Sequence, residues 1–304
     1  MSRWTVADIP SQRGRSIVVT GTGGLGYETA LALAGAGADV IVAGRNPAKG
    51  AEAVAKIRQA SPGATISFEV LDLADLRSIS AFGRRLRAGR SHLDVLINNA
   101  GVMTPPARRT TGDGLELQFG TNYLGHFALT AQMLPLLRKG RSPRVVTLSS
   151  IAARDGAINF GDLQAERNYK PMPVYSQSKL ACLMFAFELQ RRSEAAGWSV
   201  ASMAAHPGIS RTDLLPNGAG SSSAAAMARR FLWFLFQPVA QGALPTLFAA
   251  TAEAARPGGY YGPDRLFETR GYPSDAKPPE ASLDEAAAAR LWDVSAQLAA
   301  VHFG

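Results

Sequence analysis

Residues 16–37 read SIVVTGTGGLGYETALALAGAG. The first five are apolar and mostly β-branched, as a strand buried on both faces must be. The last eleven carry alanine and leucine at helical spacing. Between them lie Gly21, Thr22, Gly23, Gly24, Leu25 and Gly26. Glycines in a turn between a strand and a helix let backbone N–H groups approach a pyrophosphate, and the helix N-terminus favours the same anion electrostatically. These six residues are the first candidate binding set. A plain tight turn is the alternative that this stretch alone leaves open.

The alternation continues outward. ADVIVAGR (38–45), ATISFEVLDL (64–73), LDVLINNAG (93–101), RVVTLSS (144–150) and WSVASMAAHPG (198–208, with its exit loop) read as strands. Between them, 47–60, 76–89, 114–140 and 175–197 read as helices. Strands separated by helix-length segments predict right-handed crossovers and an α/β fold, a doubly wound parallel sheet with helices on both faces. After residue 208 the pattern changes. Glycine, serine and alanine flank the aromatic run FLWFLF (231–236), and 209–240 is expected to be a substrate lid. A helix over 242–255, a turn-rich segment over 258–279 and a terminal helix over 283–301 complete the chain. No linker divides it, so 1–304 is expected to be one domain, somewhat above the ~200–250 residues such folds commonly take.

Composition removes several classes of function. With 46% hydrophobic and 18% charged residues the chain is not intrinsically disordered. Its net charge of +8 admits anionic ligands. However, the densest basic stretch, Arg84 to Arg90, is broken by Leu86 and Ala88 and reads as a solvated helix face rather than a nucleic-acid arm. The N-terminal residues lack the apolar core of a signal peptide, and FLWFLF is far short of the ~20 apolar residues that span a bilayer. The lone Cys182 allows no internal disulfide and fits a reducing, cytoplasmic compartment. It falls on the buried face of a helix and reads as core. His92, His126, His206 and His302 have no ligand-like spacing, so no metal site is expected.

YSQSK places Tyr175 and Lys179 four residues apart, on one face of a helix. An ammonium beside a phenol favours the phenolate, and such a tyrosine can exchange a proton with an alcohol or ketone near neutral pH. Together with the glycine loop, NNAG (98–101), GTNYLGHF (120–127), the LSS strand end and HPG (206–208), this pair resembles the short-chain dehydrogenase/reductase family. Within it, LGYETALALA, TNYLGHFALT, YSQSKLA and YYGP are similar to the retinol-dehydrogenase-like and protochlorophyllide-reductase-like bacterial branch. The resemblance covers nearly the whole chain. It implies Tyr175 as acid/base, Lys179 as its phenolate-stabilising and ribose-binding partner, and Ser150 as the group that orients the carbonyl, with Ser149 as the fallback. It implies Asn122 as the holder of a relay water near Lys179. It also implies cofactor contacts from Asp72, Leu73, Asn98, Ala100 and Gly101, and from Pro207, Gly208 and Thr212 around the nicotinamide.

Cofactor choice has a local argument. Sites that prefer NAD(H) put a carboxylate at the end of the second strand to hold the ribose hydroxyls. Here that strand ends in Gly44-Arg45-Asn46, and Arg45 can pair with a 2′-phosphate, which favours NADP(H) over NAD(H). The glycine loop is one residue shorter than the family's usual T-G-x-x-x-G-x-G, so a weakened but functional site is expected. The expected activity is NADP(H)-dependent hydride transfer on an apolar, bulky carbonyl or secondary alcohol. The aromatic run suggests the bulk. A non-catalytic nucleotide-binding protein, and a peripheral membrane enzyme using Arg229, Arg230 and FLWFLF, are the alternatives. The partner is a small molecule, not nucleic acid, with a homo-oligomer left open.

Overall fold

The computed structural model describes residues 3–210 and 237–303. Most of the expected lid, including FLWFLF, Arg229, Arg230 and Thr212, lies outside the described residues. In chain order the elements are β1 (Ser16–Thr20), α1 (Gly24–Gly35), β2 (Asp39–Gly44), α2 (Pro47–Ala60), β3 (Thr65–Val70), α3 (Leu76–Gly89) and β4 (Val95–Asn98). A π-helical turn (Phe119–Leu124) runs directly into α4 (Gly125–Leu137), followed by β5 (Arg144–Leu148), a 3₁₀ turn (Ile151–Asp155), α5 (Pro171–Ala195) and β6 (Ala201–Ala205). A helical turn (Val239–Gly242), α6 (Leu244–Thr251), β7 (Tyr260–Arg265), β8 (Arg270–Asp275) and α7 (Glu285–Ala299) follow.

The sheet has the order β3-β2-β1-β4-β5-β6-β7-β8, parallel throughout except for β8. The order reverses between β1 and β4, and a ligand crevice opens at such a reversal. Strand side chains alternate between two cores. Val18, Leu96 and Val145 pack with α3, α4, α5 and α7, whereas Ile17, Val19, Val95, Ile97 and Val146 pack with α1, α2 and α6. Helix α5 is apolar on nearly all sides because α7 covers the face that the sheet does not. Phe185 stacks on Trp292 at 5.7 Å, and Tyr123 of the π turn bonds Ser295 of α7 at 2.7 Å.

Four expectations change. The segment 258–279 is a β-hairpin rather than a run of turns. Pro263 and Pro273 obscure it in the sequence, and the pairing tolerates them because they face each other at a register shift near the sheet edge. The long helix over 114–140 is shortened, since only 117–137 is helical, and the turn Phe119–Leu124 within it is π-wound. Helix α5 begins four residues before Tyr175, with Pro171 in its first turn where a missing N–H costs nothing. The basic stretch on α3 is solvated only in part: Arg85 reaches Glu69, Arg87 reaches Gln132 and Arg90 pairs with Asp39, stitching the helix to its neighbours. Among the described residues no helix is long and apolar enough to cross a membrane.

Candidate active site

The C-terminal ends of β1, β4, β5 and β6 open on a cavity of about 360 Å³ whose wall includes Leu25, Ser150, Tyr175, Lys179, Pro207 and Gly208. The loops that follow parallel strands converge there, so residues far apart in sequence meet.

In the glycine loop each glycine has its own reason. Gly21 and Gly24 hold φ of +100° and +52°, which side chains resist. Gly26 instead has ordinary backbone angles but sits where a Cβ would lie 2.5 Å from the Gly21 carbonyl and 2.7 Å from Asn99 Nδ2. At Gly23, the residue before α1, a Cβ would meet nothing within 4 Å. The helix N-terminus is therefore open to a pyrophosphate, and the loop fits a dinucleotide despite its shortness. Thr22 packs against Gly44, with its methyl 2.9 Å from where a Cβ would stand, so the loop tip touches the end of β2 beside Arg45. Arg45 itself is exposed. Leu73 is buried, and Asp72 lies beside it with its carboxylate accepting the Ala74 N–H at 2.9 Å.

Tyr175 and Lys179 are one turn apart on α5, each only 6% exposed. Among the described residues nothing hydrogen-bonds the Tyr175 hydroxyl. Lys179 Nζ donates to the Leu148 carbonyl at 3.0 Å, which pins the ammonium to the end of β5 and leaves two donors free. The two serines that follow are unlike. Ser149 is buried and donates to the Lys179 carbonyl at 2.7 Å, so its proton is committed. Ser150 is half-buried, caps the 3₁₀ turn by accepting the Ala152 N–H at 3.2 Å, and keeps its own proton for the cavity.

Asn122 lies in the π turn, a local rewinding often found at functional sites. Its amide brackets Val102: Oδ1 accepts the Val102 N–H at 2.7 Å, while Nδ2 donates to the Val102 carbonyl and the Ser178 hydroxyl at 3.0 Å each. Gly101 lies between Asn122 and Lys179. A Cβ there would be 3.0 Å from Asn122 Oδ1 and 3.8 Å from Lys179 Nζ. The Asn122 carbonyl accepts from His126 Nδ1 at 2.8 Å and from Cys182 Sγ at 3.2 Å, so a relay water would share it with two side chains.

Asn98 departs from the expectation. It is 1% exposed and donates to Thr130 at 3.1 Å and Thr147 at 3.4 Å, inside the fold. The reason is strand period: Asn98 shares its face with Leu96, which packs towards α4. Ala100 also turns inward, its N–H donating to Thr20 Oγ1 at 3.0 Å. Asn99, which the sequence reading passed over, lines the cavity and donates to the Thr20 carbonyl at 2.6 Å. His126, which the sequence marks only as lacking metal-ligand spacing, belongs to this network. It is buried between Thr20 and the Asn122 carbonyl, with Nε2 2.9 Å from Thr20 Oγ1. A carbonyl only accepts, so Nδ1 carries the proton and Nε2 accepts from Thr20. The spacing of four from Asn122 is the signal that would have found it.

A model of the short chain dehydrogenase family matches residues 15–219, more than half of the chain. Retinol dehydrogenase 13 of Mus musculus is 40% identical over 291 residues, covering 94% of this chain and 84% of that protein. Polyprenol dehydrogenase of Homo sapiens is 40% identical over 252 residues, covering 81% and 75%. A crystal structure of a protein from Mycobacterium paratuberculosis is 39% identical with a TM-score of 0.83, covering 100% of both chains.

Proposed function

The chain belongs to the short-chain dehydrogenase/reductase family, and from that premise we propose that it interconverts a bulky, apolar carbonyl compound and its alcohol with NADP(H). As a family member it is an oxidoreductase that uses a nicotinamide cofactor on an alcohol or carbonyl. The substrate class and the cofactor preference are our reading. The observation that carries it is the junction in one cavity of Tyr175, Lys179 and Ser150 with an apolar wall of Val102, Met103, Ile151, Met172 and Ile209. This wall stands in for the aromatic run as support for an apolar substrate. The names of the retinol and polyprenol dehydrogenases point the same way.

When bound, the nicotinamide supplies or accepts the hydride. Ser150 donates a hydrogen bond to the substrate oxygen, and Tyr175 gives that oxygen its proton as the carbonyl carbon is reduced, or removes it in the reverse direction. Lys179, anchored by Leu148, places positive charge beside the phenol and the cofactor ribose. Asn122 holds the chain at Val102 and closes the relay behind Lys179. Gly21 to Gly26 would cradle the pyrophosphate, and Asp72 and Leu73 would lie on the adenine side. Asn99 and Gly101 would take the ribose side, and Pro207 and Gly208 the carboxamide side of the nicotinamide, with Thr212 assigned there by resemblance.

Arg45 beside Thr22 is proposed to hold the 2′-phosphate. Arg45→Asp is expected to weaken NADPH binding about 10–100-fold, the loss of a charge-assisted contact of ~1.5–3 kcal/mol, and to spare NADH. Fluorescence titration with both cofactors checks it, and a wild type that binds NADH more tightly overturns the preference. The substrate reading is tested by a panel of carbonyls of graded size assayed with NADPH. Turnover confined to small polar carbonyls would refute it.

A further inference from the structure

The serine-bearing loop after β5 and the Pro207–Gly208 loop after β6 face each other across the cavity. Strand pairing fixes where each loop starts, not where its end points. The tip of the β7–β8 hairpin touches both. Glu268 Oε2 lies 2.7 Å from Arg154 Nη2, on the 3₁₀ turn that Ser150 caps, and 2.9 Å from His206 Nε2, next to Pro207. Its other oxygen accepts the Lys277 N–H at 3.0 Å and closes the base of the hairpin. Arg154 also donates to the Phe267 carbonyl at 3.1 Å, and the Ile209 N–H donates to the Thr269 carbonyl at 2.7 Å. Gly208 packs so closely on that Thr269 carbonyl that a Cβ would collide with it.

The backbone is bent to make this contact. Leu266, Phe267 and Glu268 hold φ of +49°, +56° and +65°, three consecutive left-handed residues without a glycine. Such backbone persists only where its surroundings hold it. It turns Phe267 outward, 90% exposed, and Glu268 inward. His206 is 1% exposed, and its Nδ1 accepts the Gly208 N–H at 3.3 Å, so its proton sits on Nε2 and points at Glu268. Burial opposes the charge on Glu268, but bonds from His206 and the Lys277 N–H, with the Arg154 guanidinium, outweigh it and hold the carboxyl below the ordinary carboxylate range.

We propose that Glu268 is a positioning residue for hydride transfer, a clamp that fixes the serine-bearing loop to the nicotinamide-side loop. The proposal rests on the reading of this cavity as the hydride-transfer site. The hydrogen bond from Ser150 and the nicotinamide face must be registered closely for the carbonyl to meet both, and a misplacement of ~1 Å can cost ~10²-fold. The clamp bears on this registration and not on the pyrophosphate loop at the far end of the dinucleotide.

The test is Glu268→Ala, with Glu268→Gln and Arg154→Met beside it. In the apo protein, Glu268→Ala should speed amide exchange over 151–156 and at Ile209 at least ~10-fold and leave α1 at the wild-type rate. Arg154→Met, which releases one loop only, should speed 151–156 and spare Ile209. With NADPH and a carbonyl substrate, kcat should fall ~10–100-fold in Glu268→Ala and less in Glu268→Gln, while cofactor Kd stays within ~3-fold of wild type. Should Glu268→Ala fail to fold, the Gln and Met variants carry the same readouts. Wild-type exchange in both loops, or wild-type kcat per folded site, overturns the clamp. Tyr175→Phe separates the underlying reading: if that variant turns over normally the site assignment fails, whereas the exchange pattern still judges the clamp.

Discussion

Tyr175→Phe is expected to lose at least ~10²-fold in kcat, the lower range for removal of a general acid, with cofactor affinity nearly unchanged. The substitution is clean for a structural reason. The ring is 6% exposed and packs at the start of α5, so phenylalanine keeps that packing. Among the described residues the hydroxyl has no hydrogen-bond partner to orphan, so its loss removes a proton donor and nothing that holds the fold. A matched thermal midpoint with collapsed turnover would locate the loss in the chemistry. Steady-state kinetics alongside NADPH titration decides it, and near-normal turnover would remove Tyr175 from the mechanism.

The second large effect concerns acid. His126 is buried, and that burial pulls its pKa down to about 4; the bond to the Asn122 carbonyl opposes the shift and the nearby Lys179 charge adds to it. In the unfolded chain the same imidazole takes a proton near the ordinary value of ~6.5. The native state therefore binds fewer protons between these two values. The contribution is fully present above pH ~6.5 and is lost as pH falls towards 4, amounting to roughly 3 kcal/mol, or about 10² in the unfolding constant. His126→Gln removes the titration. It should cost stability at pH 7 through the lost link between Thr20 and Asn122, yet flatten the acid slope relative to wild type. Urea unfolding at pH 7 and near pH 4.5 in both proteins reads the difference. Burial also lowers the pKa of His206 and raises that of Glu116, but both groups are common to the pair and cancel. Parallel slopes would refute the assignment to His126.

These two residues differ in how visible they were. Tyr175 stood out because its partner Lys179 is four residues away on one helix, a relation that local spacing encodes. His126 is also four residues from Asn122, but its meaning comes from Thr20, on a strand far back in the chain. Asn98 and Asn99 show the intermediate case. The period of β4 sends one inward and the next to the cavity, but only once the strand end is known to the residue.

The doubly wound sheet, the glycine turn before α1 and the Tyr175–Lys179 pairing are legible in the chain alone, because each depends on periodicity and spacing within a few turns. The β7–β8 hairpin was decided by tertiary structure, since β7 gains its place by pairing with β6, and two prolines mask its local pattern. The inward turn of Glu268 was decided the same way. Three left-handed residues have no propensity to recommend them, and they are held by His206 and Arg154, which only the folded sheet brings to the same spot.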